Sequence, residues 1–187
     1  MTECACFSSA LQISEHLQRT ENGLAYASFD QVLMVARQAS VVCRQYAACS
    51  NCTDPSYYTI FVIILRKAAT CYAHLIRSSN LVSSPATAST TSSSGSSSFG
   101  SHGSYTRLRI GAFEIEAPLD EQTRSIILRS EIRHALEAAM LLESVLGHQS
   151  AKPAVLRSDE ATLQYQRTLV ATVRDEIANL EQYLQSI

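Results

Sequence analysis

No block of like charge, no glycine-rich phosphate loop and no apolar run of membrane-spanning length occurs in this chain. Each absence argues against a class of function. Fifteen Lys and Arg against seventeen Asp and Glu leave a net charge of -2, with neither sign gathered on one segment. Autonomous nucleic-acid binding needs a basic footprint to neutralise phosphates, and none is visible. The longest apolar run, IFVIIL at residues 60–65, is closed by Arg66 and Lys67. A membrane span needs about 20 apolar residues, so this run predicts a buried helix and no membrane partner. The start, MTECACFSSALQISEHLQ, lacks the basic opening and apolar stretch of a secretory signal. A soluble intracellular chain with reduced thiols is the expectation.

Catalytic signatures are missing as well. The histidines at 16, 74, 102, 134 and 148 are scattered, and no serine or cysteine stands in a nucleophile motif. Glu131, Glu137 and Glu143 are expected on solvated helix faces. The chain is therefore read as a non-enzyme, with no catalytic or cofactor-binding residue and no cofactor.

What is present is apolar periodicity. With 187 residues, 46% of them hydrophobic, the chain can bury one sizeable core. Residues 83–104 hold eleven serines and only two large rings, Phe99 and His102. Such a segment cannot bury enough surface to offset its ordering entropy, which predicts a disordered linker. It divides the chain into a helical half at 1–82 and another at 105–187. Ser84-Pro85 inside it is a candidate proline-directed phosphorylation site, although composition favours the plainer reading, a passive serine-rich spacer.

Three helices are expected before the linker. The first, near residues 4–18, aligns Cys6, Ala10, Ile13 and Leu17 on one face. The second opens at SFDQ, where Ser28 and Gln31 have the spacing of a capping box. The third follows Asp54-Pro55, a cap followed by a residue suited to the first helical turn. From Tyr57 to Ile76 it is apolar nearly all round, as the central helix of a bundle should be. After the linker, RLRIGAFEIE alternates like a short extended segment. A fourth helix runs from Asp120 to about Leu146, with Gly147 suited to its C-cap region.

The last helix carries the best interaction signal. Leu163, Val170, Val173, Ile177, Leu180 and Leu184 recur at heptad-like spacing, with Gln166 as a polar position on the same stripe. Two readings stay open: a stripe that zips with a partner helix or a second copy, and an antiparallel hairpin with the fourth helix.

Six cysteines raise the question of metal. Cys49-x2-Cys52 and Cys71-x2-His74 supply zinc-type ligands in paired short spacings. Distance opposes the set, because Cys71 lies roughly 24 Å along an unbroken helix from the joint. Cys4-x-Cys6 is a two-ligand fragment with no evident partner. A redox Cys-x2-Cys would need a strand–helix–strand setting, and this one is flanked by helices. The six are expected to be structural thiols, with no metal bound.

ASFDQVLMVARQAS followed by CSNCTDPSYYTIFVIILRKAATCYAHL resembles the C-terminal domain of the aflatoxin regulatory protein family of fungal transcription factors. The matching positions are Ser28, Phe29, Asp30, Val32, Leu33, Cys49, Cys52, Asp54, Lys67 and Tyr72. CACFSSALQISEHL is similar to that family's cysteine-bearing first helix, and the stretch from Arg107 to Glu143 to its downstream segment. Complete members carry an N-terminal six-cysteine, two-zinc cluster whose helix enters the DNA major groove. These six cysteines spread from Cys4 to Cys71 with few basic neighbours, so no residue inherits a zinc-ligand or DNA-contact role. The resemblance implies a nuclear regulator of aflatoxin- or sterigmatocystin-type polyketide genes, acting through protein partners or self-association. DNA would be reached only indirectly, or through a zinc-cluster domain missing here. The expected fold is all-α, an irregular bundle of about five helices. A helical sensor enclosing a small molecule near Tyr57, Tyr58 and Phe61, and a fragment of a longer regulator, are the alternatives.

Overall fold

The computed structural model describes residues 4–52, 57–82, 108–110, 113–115, 120–150 and 160–186. The Ser-rich segment, Ser84-Pro85 and the Asp54-Pro55 cap lie outside the described residues. The fold is an all-α bundle of five helices: α1 (Cys6–Asn22), α2 (Phe29–Ala48), α3 (Tyr58–Val82), α4 (Glu121–Ser150) and α5 (Glu160–Gln185). The extended segment forms a minimal antiparallel pair, β1 (Leu108–Ile110) with β2 (Phe113–Ile115), in which Arg109 faces Glu114.

Helix α2 starts where its sequence says it should. The Ser28 side chain accepts from the Gln31 amide, and the Gln31 side chain accepts from the Ser28 amide, so two orphan donors are satisfied at once. Helix α1 runs a turn longer than its apolar stripe suggests and ends at Gly23. Helix α4 continues through Gly147 to Ser150, so Gly147 is not a cap. It sits exposed, and a side chain there would meet nothing. A solvated helical glycine costs about 1 kcal/mol relative to alanine, which a thirty-residue helix tolerates.

Helix α3 is the axle and packs against all four others. Only a thin strip comprising Ile63, Arg66, Thr70, Arg77 and Ser78 is exposed along its described side chains. Over Tyr58–Ser78 it is long and apolar enough to cross a membrane by composition, more so than the run at 60–65 indicates. Its apolar faces are instead turned onto neighbouring helices. Phe61, Val62, Ile64, Leu65, Ala68 and Tyr72 are fully buried. Each large side chain among them contributes about 1.5–3 kcal/mol by leaving water.

Cross-helix pairs fix the directions of packing. Arg174 meets Glu143 at 2.7 Å and Arg133 meets Glu181 at 3.4 Å, so α4 and α5 are antiparallel. Arg37 meets Glu131 and Arg44 meets Glu137, so α2 and α4 run parallel. Lys67 of α3 bonds Gln18 and Glu21 of α1. Arg44–Glu137 is the most solvated of them and sets register more than stability, whereas Glu131 and the Lys67–Glu21 pair are mostly covered. Both sides of the Ser-rich segment contribute to a single hydrophobic core.

Candidate metal centre

The short turn between α1 and α2 brings two cysteine pairs together. Helix α1 has 17 residues and α2 has 20, so at 1.5 Å per residue they rise about 26 Å and about 30 Å on either side of the turn. The helices are antiparallel, and the start of α1 therefore lies level with the end of α2. Cys4 stands just before α1 and Cys6 is its first residue. Cys49 is the C-cap residue of α2, in extended backbone, and Cys52 follows on the way to α3.

The four sulfur atoms all lie within 4.8 Å of one another. Cys4 Sγ is 3.1 Å from Cys52 Sγ and 3.4 Å from Cys49 Sγ. The backbone N–H of Cys6 donates to Cys4 Sγ at 3.4 Å. All four side chains are half-buried, with Cys6 and Cys52 packed against the core. Beside them Phe7 and Tyr57 bring their rings to 4.4 Å, which ties the same two segments together.

The electrostatics are uneven across the cluster. Hydrogen bonding from Cys52, then from the Cys6 amide, pulls the Cys4 thiol down to about 7. Burial, reinforced by Cys4, pushes Cys6 up to about 11. Burial raises Cys52 further. Cys4 is thus the thiol of the cluster that ionises most readily, while burial opposes ionisation of Cys6 and Cys52.

Four sulfurs are soft donors suited to zinc, copper(I) or iron and unsuited to calcium or magnesium, which take oxygen. A zinc–sulfur bond of about 2.3 Å in a regular tetrahedron gives sulfur–sulfur edges of about 3.8 Å. The Cys4–Cys52 and Cys4–Cys49 separations are somewhat shorter than that edge. All four sulfurs stay within 4.8 Å of one another, a spread that small outward shifts would fit to one ion.

This geometry corrects the sequence-based reading of the cysteines at one point and supports it at another. Cys4-x-Cys6 does have a partner, and it is Cys49-x2-Cys52. Rejection of the Cys49, Cys52, Cys71, His74 set stands, because α3 is unbroken and Cys71 is fully buried with its thiol pushed up to about 11. The signal for the true grouping was the length of the two helices flanking the turn at Gly23. Comparison of the chain with protein-family models, curated proteins and solved structures gives no match.

The remaining candidate residues sort plainly. Leu163, Val170, Val173, Ile177 and Leu184 are buried, and Leu180 is partly buried against the same core. The stripe faces its own chain, so it is not available as a partner surface. Its periodicity is that of the α4–α5 pairing, and Gln166 is buried along it. The outer face of α5 is polar where Thr168, Thr172, Asp175, Asn179 and Gln182 are exposed.

The place suggested for a ligand is occupied by side chains. Tyr58 and Phe61 are fully buried, and Phe61 stacks on Tyr46 with ring centroids 3.8 Å apart.

Glu131 is the residue that periodicity could have found and did not. It is only 5% exposed, unlike Glu137 and Glu143, because it falls on the α4 stripe between Leu128 and Ala135. Its carboxylate lies 3.3 Å from Arg37 and 3.9 Å from His134. Between α1 and α2 an open groove of about 370 Å³ is lined by His16, Arg37, Gln38 and Val41, among others.

Proposed function

We propose that the chain is a transcription-regulatory module of the aflatoxin-regulator type. It acts in the nucleus on secondary-metabolite genes of the aflatoxin or sterigmatocystin kind, through contacts with protein partners. It works without an enzymatic step and without binding DNA by itself.

One observation carries this reading: residues that give the resemblance hold the helices together. Ser28 caps α2. Val32 and Tyr72 are fully buried, and Phe29 lies under the Arg124 guanidinium at 5.5 Å. Cys49 and Cys52 sit in the thiol cluster, and Lys67 joins α3 to α1. A resemblance built on such positions concerns the shared scaffold, which supports a shared kind of module. The ring stack of Tyr46 and Phe61 counts against the small-molecule sensor. Because the α5 stripe is internal, partner contacts fall on other exposed faces.

The test is to fuse the full chain to an unrelated DNA-binding domain and measure a reporter in a fungal host. A change in transcription that depends on the fused chain is expected. An unchanged reporter with the fusion present in the nucleus, or tight binding to DNA by the chain alone, contradicts the proposal.

A further inference from the structure

We propose that Cys4, Cys6, Cys49 and Cys52 bind one zinc ion as a closed tetrathiolate, clamping the start of α1 to the joint between α2 and α3.

The convergence itself is the first argument. Thiols are weak hydrogen-bond donors and weak acceptors, so S–H contacts among four of them give little reason to gather. The two pairs come from segments far apart in the chain, with Cys4 45 residues from Cys49 and 48 from Cys52. One disulfide would use two sulfurs and two disulfides would need an oxidant, whereas all four are free thiols here. A single tetrahedral ion uses all four, and the edges it requires, about 3.8 Å, lie below the 4.8 Å within which all four sulfurs already stand.

The surroundings suit a metal thiolate. The Cys6 amide points at Cys4 Sγ, the kind of N–H to sulfur contact that orients a ligand and spreads its charge. Helix α1 begins at this point with Ala5 at its N-cap and no side-chain cap bond. The partial positive charge of a helix N-terminus thus faces the cluster and offsets part of the excess negative charge of four thiolates around a divalent ion. Half-burial of all four side chains leaves a path for the ion from solvent.

Four protein ligands complete the zinc shell, so no position remains for water or substrate. The site is therefore structural. As each sulfur–zinc bond forms, that thiol's proton leaves to solvent, and no electron is transferred. Cys43 and Cys71 take no part, being buried singly inside the bundle.

The test uses the full chain purified under reducing conditions. Elemental analysis is expected to give one zinc per chain. Cobalt(II) in place of zinc is expected to give the intense visible bands and thiolate charge-transfer absorption of a tetrahedral tetrathiolate. Cys49→Ser and Cys52→Ser are each expected to weaken zinc by more than about 100-fold, while Cys71→Ser leaves it unchanged. If a cluster variant fails to fold, the cobalt spectrum of the unaltered chain still counts its sulfur ligands. Absence of zinc together with absence of the tetrathiolate spectrum overturns the proposal, as does a Cys4–Cys52 disulfide in the reduced preparation. Bound iron instead of zinc overturns the metal assigned. The regulatory reading is separate: a chain that holds zinc and leaves the reporter unchanged keeps this proposal and loses that one.

Discussion

Two groups of cysteines in this molecule meet opposite fates. Cys43 and Cys71 lie inside the bundle, each fully buried among apolar neighbours. Burial raises both thiols, and Cys43 donates to the Phe61 carbonyl at 3.3 Å. They are small core side chains that happen to contain sulfur. Cys4, Cys6, Cys49 and Cys52 lie at helix ends, half-buried and within 4.8 Å of one another. Position relative to the helix termini separates the groups. A helix interior points each thiol into its own packing niche, whereas ends of antiparallel helices bring distant segments to one place.

The comparison can be broken most forcefully at the cluster. Removing zinc with a strong chelator is expected to lower the Tm by about 8–16 °C. That corresponds to about 4 kcal/mol at free zinc a thousand-fold above Kd. A calorimetric scan with and without chelator reads it, and the Cys52→Ser chain should show no such difference. Cys43→Ser should behave oppositely. It places a hydroxyl in an apolar niche and costs about 1–2 kcal/mol by denaturant unfolding, with zinc content unchanged.

Helix α2 carries members of both groups, Cys43 within it and Cys49 at its end. Ser28→Ala removes its N-cap and should cost about 1 kcal/mol, again without loss of zinc. The smallest effect belongs to α4, which bears no cysteine. The Thr123 amide, 2.6 Å from Asp120 Oδ1, holds that carboxyl below its usual range. A carboxyl with a depressed folded-state value stabilises above its unfolded range, and that stabilisation is lost as pH falls through the folded value. Asp120→Asn should therefore give a slightly shallower acid-side fall in Tm, with the zinc-dependent difference intact.

How much of this was legible beforehand depends on the scale of the signal. Local patterns translated directly. The Ser28–Gln31 spacing became a capping box, and the stripes of Leu128, Ile132, Ala135 and Leu142 on α4 and of Val170, Val173 and Ile177 on α5 became core. The α5 stripe was ambiguous because its repeat does not say whose helix it faces. The antiparallel α4–α5 pairing, seen in Arg174–Glu143 and Arg133–Glu181, decides it. Glu131 and Gly147 defeated simple rules for opposite reasons. A charged residue was carried into the interior by its place on the stripe, with Arg37 beside it, and a glycine was carried through a helix whose length outweighed it.

The cluster was hidden because neither Cys4-x-Cys6 nor Cys49-x2-Cys52 is a site alone. Their meeting depends on two helices of nearly matched rise, a relation that becomes visible only by measuring outward from the turn.

Native mass spectrometry of the reduced full chain tests the central claim most directly. The account predicts one species heavier than the polypeptide by one zinc less the protons displaced from its thiols, converting to the bare chain on acidification. A native spectrum showing only the bare chain after incubation with excess zinc under reducing conditions would contradict it.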